Sequence, residues 1–168
     1  MKRIGLLSDT HGYLDPRVME YFARCDEIWH AGDFGDGVAE RLAAFKPLKG
    51  VYGNIDGPEL RRDYPLDQRF DCEGVTVWMT HVGGYPGRYD RRVKKLLEAG
   101  QPQLFVCGHS HILRIMRDTK RGGMLVINPG AVGKAGFQRV KTIVRFAVDA
   151  GKVGQVEVIE LGTQAKTV

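Results

Sequence analysis

Five apolar, β-prone runs in this chain each stop at a short turn that carries an oxygen or nitrogen donor. Residues 4–7 lead into Asp9-Thr10-His11, 27–29 into Gly32-Asp33, 48–51 into Gly53-Asn54, 75–79 into Thr80-His81, and 104–107 into Gly108-His109-Ser110-His111. No other feature restricts the fold as much. Short apolar runs bounded by glycine and polar turns read as strands, and in α/β sheets ligands bind just past the carboxyl ends of the strands. A fold that gathers these five ends also gathers seven donors: Asp9, His11, Asp33, Asn54, His81, His109 and His111.

The spacing inside the motifs sharpens this. In an extended segment the side chains at i and i+2 share a face, so Asp9 with His11, and His109 with His111, are each expected to act as a pincer pointing one way. Gly12, Gly32, Gly53 and Gly108 adjoin the donors, where glycine permits tight turns and close approach of the backbone to an ion or phosphate. One such glycine alone is most simply a strand terminator; five donor-bearing strand ends in one chain are not so easily dismissed. Four of the five histidines fall in the motifs, and the fifth, His30, reads as a packed or supporting histidine. Seven oxygen and nitrogen donors suffice for two metal ions, and the lack of thiolates among them argues against a closed structural zinc site.

The remaining pattern predicts alternating strands and helices in the first half, with helices over 16–24 and 38–45 between strands that end at residues 8, 29 and 51. Strands at 69–72 and 75–79 follow, then a basic amphipathic helix over 91–98 with Val93, Leu96 and Leu97 facing inwards, then strands at 104–107, 112–118, 124–127, 141–148 and 153–159. A parallel first half and a mostly antiparallel second half suggest two facing sheets. The glycine-rich residues 82–87 read as a loop beside His81, either shaping substrate access or serving as a plain connection.

With 168 residues, the chain has the size of one domain, 1–168, and no linker or repeat divides it. Its net charge of +5 suits an anionic substrate. The basic residues collect at Arg61-Arg62, around Arg88, Arg91, Arg92, Lys94 and Lys95, and over 114–121. Solvated faces account for them, and without an aromatic-studded groove a nucleic acid is not the favoured partner. Neither a signal-peptide pattern nor an 18-residue apolar span is present, so a cytoplasmic protein without a membrane anchor is expected. Cys25, Cys72 and Cys107 have no metal-binding or redox spacing. The stretch 108–112 lacks the final glycine of a nucleophile elbow, and 32–37 has neither P-loop nor dinucleotide spacing.

Taken in order, Asp-x-His, Gly-Asp, Gly-Asn, a single His and Gly-His-x-His, with Asn128-Pro129-Gly130 beyond them, resemble the motifs of the calcineurin-like metallophosphoesterase superfamily. Within it, the chain looks most like the small YfcE-type phosphodiesterase branch. The resemblance implies an α/β fold, a four-layer αββα sandwich of two facing mixed β-sheets flanked by helices. It implies that Asp9, His11 and His111 bind one ion, that Asn54, His81 and His109 bind another, and that Asp33 bridges them. On the same basis Asp33, Asn54 and His81 are the expected catalytic residues. Two divalent ions are implied, Mn first, with Fe, Zn or Ni as alternatives, and the activity implied is hydrolysis of a small phosphate ester by a hydroxide shared between them. Relatives often self-associate, so a homo-oligomer is an expectation.

One position departs from the pattern. After the Gly-Asn pair, relatives often carry His or Cys, whereas this chain has Ile55 followed by Asp56. Isoleucine cannot donate a proton, so the chain is expected to favour good leaving groups or to recruit an acid from elsewhere. Asp56 reads either as a helix cap or as a group that orients a neighbouring ligand. The superfamily also includes a retromer trafficking subunit that works through protein contacts, which makes a non-catalytic interaction module the alternative; the complete donor set favours the enzyme.

Overall fold

The computed structural model describes residues 1–138 and 140–163. It begins with a β-α-β-α-β run: β1 (Lys2–Leu7), α1 (Pro16–Tyr21), β2 (Glu27–His30), α2 (Val38–Phe45) and β3 (Leu48–Gly50), whose three strands pair in parallel. A short α3 (Pro58–Asp63) leads to β4 (Asp67–Cys72) and β5 (Val75–Thr80), an antiparallel pair. A two-stranded hairpin, β6 (Gly84–Tyr85) with β7 (Arg88–Tyr89), and α4 (Arg91–Ala99) precede β8 (Leu104–Val106), β9 (Leu113–Asp118) and β10 (Met124–Pro129). The last two strands are β11 (Val140–Asp149) and β12 (Lys152–Thr163). Two five-stranded sheets result, ordered β12-β11-β1-β2-β3 and β4-β5-β8-β10-β9.

The division of the chain between the sheets differs from the sequence expectation. The C-terminal hairpin does not extend the second sheet; β11 returns to pair antiparallel with β1, from Lys2 opposite Val148 to Leu6 opposite Val144. Nor is the second sheet mostly antiparallel, since β8 runs parallel to both β5 and β10. The reason is that every central strand is apolar on both faces, a pattern that fits either sheet and so carries no information about partners.

That two-sided burial creates the layers. Ile4, Leu6, Trp29, Val77, Met79, Leu104, Val106, Leu125, Ile127, Val144 and Phe146 form a core between the sheets. The alternate residues face outwards under helices. Leu7, Ile28 and Ile143 pack with Val18 and Phe22 of the α1 region and with Val38 and Leu42 of α2, while Trp78, Phe105 and Val126 pack with Val93 and Leu97 of α4. Full burial of each such side chain contributes about 1.5–3 kcal/mol. At Gly5 of β1 an added Cβ would stand 2.6 Å from the Phe22 ring, so glycine here lets the helix layer close onto the sheet.

Local signals explain several boundaries. Asp15 and Asp90 cap α1 and α4 through bonds from the backbone N–H groups of Arg17 and Arg92, both 3.0 Å. Leu96 is not an inward residue of α4, as the pattern suggested, but is 37 % exposed, because Val93 and Leu97 already fill the contact. The residues 82–87, expected as a loop beside His81, contain β6, which pairs with β7 just beyond them, both strands too short to show a period of two. Each of the three cysteines is a buried free thiol. No helix among the described residues is long and apolar enough to cross a membrane.

Candidate metal centre

The donor-bearing loops follow β1, β2 and β3 of one sheet and β5 and β8 of the other, and they meet at one end of the sandwich. Backbone bonds lace them together: Asp9 N–H to Gly32 O at 3.0 Å, His11 N–H to Asp33 O at 3.0 Å, Gly12 N–H to Phe34 O at 2.8 Å, and Gly108 N–H to His81 O at 2.9 Å. Inside this lacing the backbone is not extended. Asp9, His11, Asp33, His109 and His111 all have positive φ, between 48° and 70°. The extended pincer expected from i, i+2 spacing is therefore corrected. Asp9 and His11 do point to one place, but by left-handed turns, and His109 and His111 diverge. Left-handed backbone costs a non-glycine residue about 1–2 kcal/mol and persists where the surroundings over-determine it.

The candidate donors fall into two adjoining clusters. Donor atoms of Asp9, His11 and His111 lie within 4.8 Å of one another, as do those of Asp33, His81 and His109. Asn54 joins the second cluster through Oδ1, 3.0 Å from His81 Nε2 and 3.0 Å from His109 Nδ1. Asp33 stands between them, its Oδ2 3.5 Å from His11 Nε2 and 3.1 Å from His81 Nε2. Asp9 Oδ1 is 3.1 Å from His111 Nε2 and 3.8 Å from His81 Nε2. All seven sequence candidates are thus brought together; His30 is not among them.

Two atoms bear on whether a cation fits. Asp9 Oδ1 and His11 Nε2 are buried and have no hydrogen-bond partner, a condition that costs about 1–3 kcal/mol per neutral group and more for a charged one. A cation between them would satisfy both. The donor chemistry is also consistent, since carboxylate, imidazole and amide oxygen suit first-row divalent ions.

Groups behind the donors fix their orientation. His81 Nδ1 donates to Ala31 O at 2.7 Å and His111 Nδ1 to Gln138 Oε1 at 2.8 Å, so each keeps a bare Nε2 aimed inwards. Gln138 is itself held by its Nε2 donating to Ala135 O at 2.7 Å. Ser8 Oγ and His109 N–H both donate to Asp9 Oδ2, at 2.5 and 3.1 Å. Asp33 Oδ1 accepts from Ile55 N–H at 3.0 Å, so residue 55 serves the site through its backbone. Asp56 does not cap α3. Its carboxylate accepts from the N–H groups of Phe34, Gly35 and Gly53 at 3.2, 3.0 and 2.9 Å, tying the Asp33 loop to the Asn54 loop. Gly53 must be glycine there, because an added Cβ would collide with Asp33 Oδ1. Asn128 spans the third loop, donating to Gly108 O at 2.9 Å and Ser110 Oγ at 3.1 Å.

His30 is buried beneath the centre, stacked on Phe34 with centroids 3.7 Å apart. Its Nδ1 accepts from Gly32 N–H at 3.1 Å, and its Nε2–H donates at 3.0 Å to Thr10 Oγ1, whose own hydroxyl donates to Phe34 O at 2.7 Å. Burial pushes this imidazole down to about 3, so it is neutral. Burial raises the Asp9 carboxyl, but the imidazoles of His11, His111 and His81 and the Ser8 hydroxyl overcome it and hold it below the usual carboxylate range. Asp33 is lowered likewise, with burial outweighed by His81. His111 is raised by Asp9, and His81 is raised by Asp33 and Asp9 in spite of burial.

A family model for the calcineurin-like phosphoesterase superfamily domain matches residues 1–151. The chain belongs to this superfamily. No curated protein sequence gives a significant match, but solved structures do. An archaeal phosphodiesterase superposes with a TM-score of 0.75 at 21 % identity, covering 95 % of this chain and 99 % of that one. A Thermotoga maritima protein solved by solution NMR gives 0.72 at 26 %, covering 96 % and 100 %. Wild-type Vps29 from Entamoeba histolytica, in complex with zinc, gives 0.74 at 14 %, covering 95 % and 98 %. The two sheets with their helical layers are the superfamily's fold, although at such identities the first and third likenesses concern the fold alone.

What the superfamily motifs did not reveal lies around them. Gln138 lies outside every motif, and nothing in sequence marks it. Ser8 could have been noticed, since it abuts Asp9. Next to the second cluster a cavity of about 460 Å³ opens between Tyr52, Asn54, Arg61, Leu66, His81, Val82 and Arg92. The short α3 that supplies Arg61 carried a recognisable signal, a proline at its first position with Glu59 early and Arg61-Arg62 late.

Proposed function

We propose that the chain is a dinuclear metal-dependent phosphoesterase, and that its substrates are phosphodiesters. The observation that supports this is the convergence of seven oxygen and nitrogen donors on two adjoining clusters that share Asp33, with two buried donor atoms left unpartnered. Asp9, His11 and His111 would hold one ion, Asn54, His81 and His109 the other, and Asp33 both. Mn²⁺ is the first choice for this donor set, ahead of Fe, Zn and Ni. When bound, the ions would supply Lewis acidity, neutralising charge on the phosphoryl oxygens and lowering the pKa of water towards about 7.

The chain's own residues prepare for that chemistry. Asp9 and Asp33 are held ionised by the imidazoles around them. Ala31 and Gln138 fix the tautomers of His81 and His111. Asn54 and His109 are exposed at the rim, where a substrate approaches. Cys107, the residue before the Gly-His-Ser-His loop, is wholly buried and its thiol is pushed up to about 12, so it is not the attacking group. The net charge of +5 favours an anionic ester. A non-catalytic scaffold, the alternative raised by the likeness to Vps29, has no need of seven convergent donors or of strained backbone at five of them.

Hydrolysis of bis-p-nitrophenyl phosphate by chelator-stripped protein, as Mn²⁺ is added back, tests the reading. Turnover that returns with metal in the wild type and not in Asp33→Asn is the expected result. Folded protein that stays silent with Mn²⁺, Fe²⁺, Zn²⁺ and Ni²⁺ would leave the interaction module as the better account.

A further inference from the structure

The cavity beside Asn54 and His81 has an unusual charge arrangement. Two arginines line it. Arg92 is spent, since its two terminal nitrogens bond Asp67 at 2.7 and 3.1 Å and Thr80 Oγ1 at 2.8 Å. Arg61 bonds only carbonyls, Asp56 O from Nε at 2.6 Å and Asn54 O from Nη2 at 3.4 Å, so among the described residues no carboxylate offsets its charge. The Tyr52 ring lies 4.5 Å from the guanidinium carbon and fixes its plane. A guanidinium held in this way at the mouth of a cavity is preorganised for an oxyanion.

The walls have a second character. Leu66 and Val82 line the same cavity and are 41 % and 36 % exposed, and Ile55, adjoining Asn54, is 48 % exposed. Two large apolar side chains turned to solvent on the wall of one opening, with a third exposed on the chain next to it, mark a surface that awaits an apolar group. Among the side chains around the cavity, His81 gives its Nδ1–H to Ala31 O and the ring of Tyr52 backs the Arg61 guanidinium. Asp90 is engaged as the cap of α4, and Ile55 has no proton to give.

We propose that this cavity receives the leaving group of a phosphodiester, an aryl or nucleoside-sized alcohol, and that Arg61 stabilises the charge on the departing oxygen in place of a general acid. The inference rests on the phosphodiesterase reading above. In the step, the oxygen of water bonds to phosphorus and its proton passes to solvent. The P–O bond to the leaving group breaks, its electron pair stays on the departing oxygen beside the Arg61 N–H groups, and solvent later protonates that oxygen.

A series of aryl methyl phosphates of rising leaving-group pKa, from p-nitrophenyl to phenyl, tests it on the Mn²⁺-loaded full chain. Arg61→Gln is expected to lower kcat/KM about 10-fold for the nitrophenyl ester and about 100-fold for the phenyl ester, the latter at the low end of the roughly 10²–10³-fold loss that follows removal of one oxyanion donor. Mn²⁺ affinity should stay within about twofold, and Arg62→Gln, one residue along α3, should match the wild type throughout. Leu66→Ser should raise KM for thymidine 5′-p-nitrophenyl phosphate while leaving kcat unchanged. A loss equal across the series, or a Mn²⁺ affinity that falls with turnover, would overturn the role of Arg61 and make it a brace for the Asn54 loop. A wild type that hydrolyses none of the series removes the phosphodiesterase reading and this inference with it, an outcome distinct from an active wild type whose variant shows no slope.

Discussion

The two donor clusters differ in depth. Asp9 has no exposed surface, and the side chains of His11 and His111 are 19 % and 11 % exposed. In the other cluster His81 is buried, but Asn54 and His109 stand in solvent. The deep cluster takes two of its members from one three-residue stretch and is braced by Ser8 and Gln138, whereas the rim cluster draws each member from a different loop. On the proposed function the contrast separates two tasks: the deep cluster would hold a cation, and the rim cluster would be left open to meet a substrate.

Four experiments sharpen or break that comparison. The largest effect is expected from Asp9→Asn, which should abolish turnover at every Mn²⁺ concentration, while Asn54→Ala should lose activity that excess Mn²⁺ largely restores. Turnover titrations with equal, unrescuable losses would erase the distinction. Next comes Gln138→Leu, which frees the His111 ring and should weaken one of two Mn²⁺ binding steps by about 10–100-fold in calorimetry. If the step retained at wild-type strength is the tighter one, the assignment of depth is reversed.

Metal removal should be smaller. An ion at 100 times its Kd stabilises the folded state by about 2.7 kcal/mol, which for a chain of this size is a Tm difference of about 5–10 °C between loaded and chelated protein. Asn54→Ala should keep more of that difference than Asp9→Asn. The smallest effect concerns His30, beneath the deep cluster. Its folded pKa is depressed to about 3, so between the unfolded value and pH 3 the unfolded chain binds the extra proton. The stability it protects is complete above pH 6.5 and is lost as pH falls towards 3. His30→Gln, which keeps an acceptor for Gly32 and a donor for Thr10, should flatten the decline of Tm with acidification, by up to about 1.4 kcal/mol per pH unit. A decline as steep as in the wild type would place the acid sensitivity elsewhere.

The donors were legible because chemistry confines them to few residue types and topology confines them to strand ends. Asp9, Asp33, Asn54, His81, His109 and His111 could each be named from the glycines or runs beside them, and so could most of the strands. Conformation was less legible. Spacing of i, i+2 implies a shared face only if the segment is extended, and the left-handed φ values at Asp9, His11 and His109 accompany bonds from their N–H groups to Gly32 O, Asp33 O and Asp9 Oδ2, all distant in sequence. Partners were least legible of all. Nothing near residue 138 says that its amide meets His111, and nothing in the apolar run of β11 says that it pairs with β1 rather than with β10. Both are decided by tertiary packing, which sums over many residues and leaves no local mark.

The pairing of β1 with β11 also carries a consequence for synthesis. Lys2 leaves the ribosome before its partner Val148, which follows 146 positions later. At about 5–20 residues per second, β1 waits roughly 7 to 30 s for the neighbour that closes one side of it. For most of that interval Asp9 and His11 have already emerged, in the loop after a strand with one edge open. A cell making this protein therefore handles a half-built sheet whose acidic and imidazole groups are available to any cation before the scaffold that disciplines them exists.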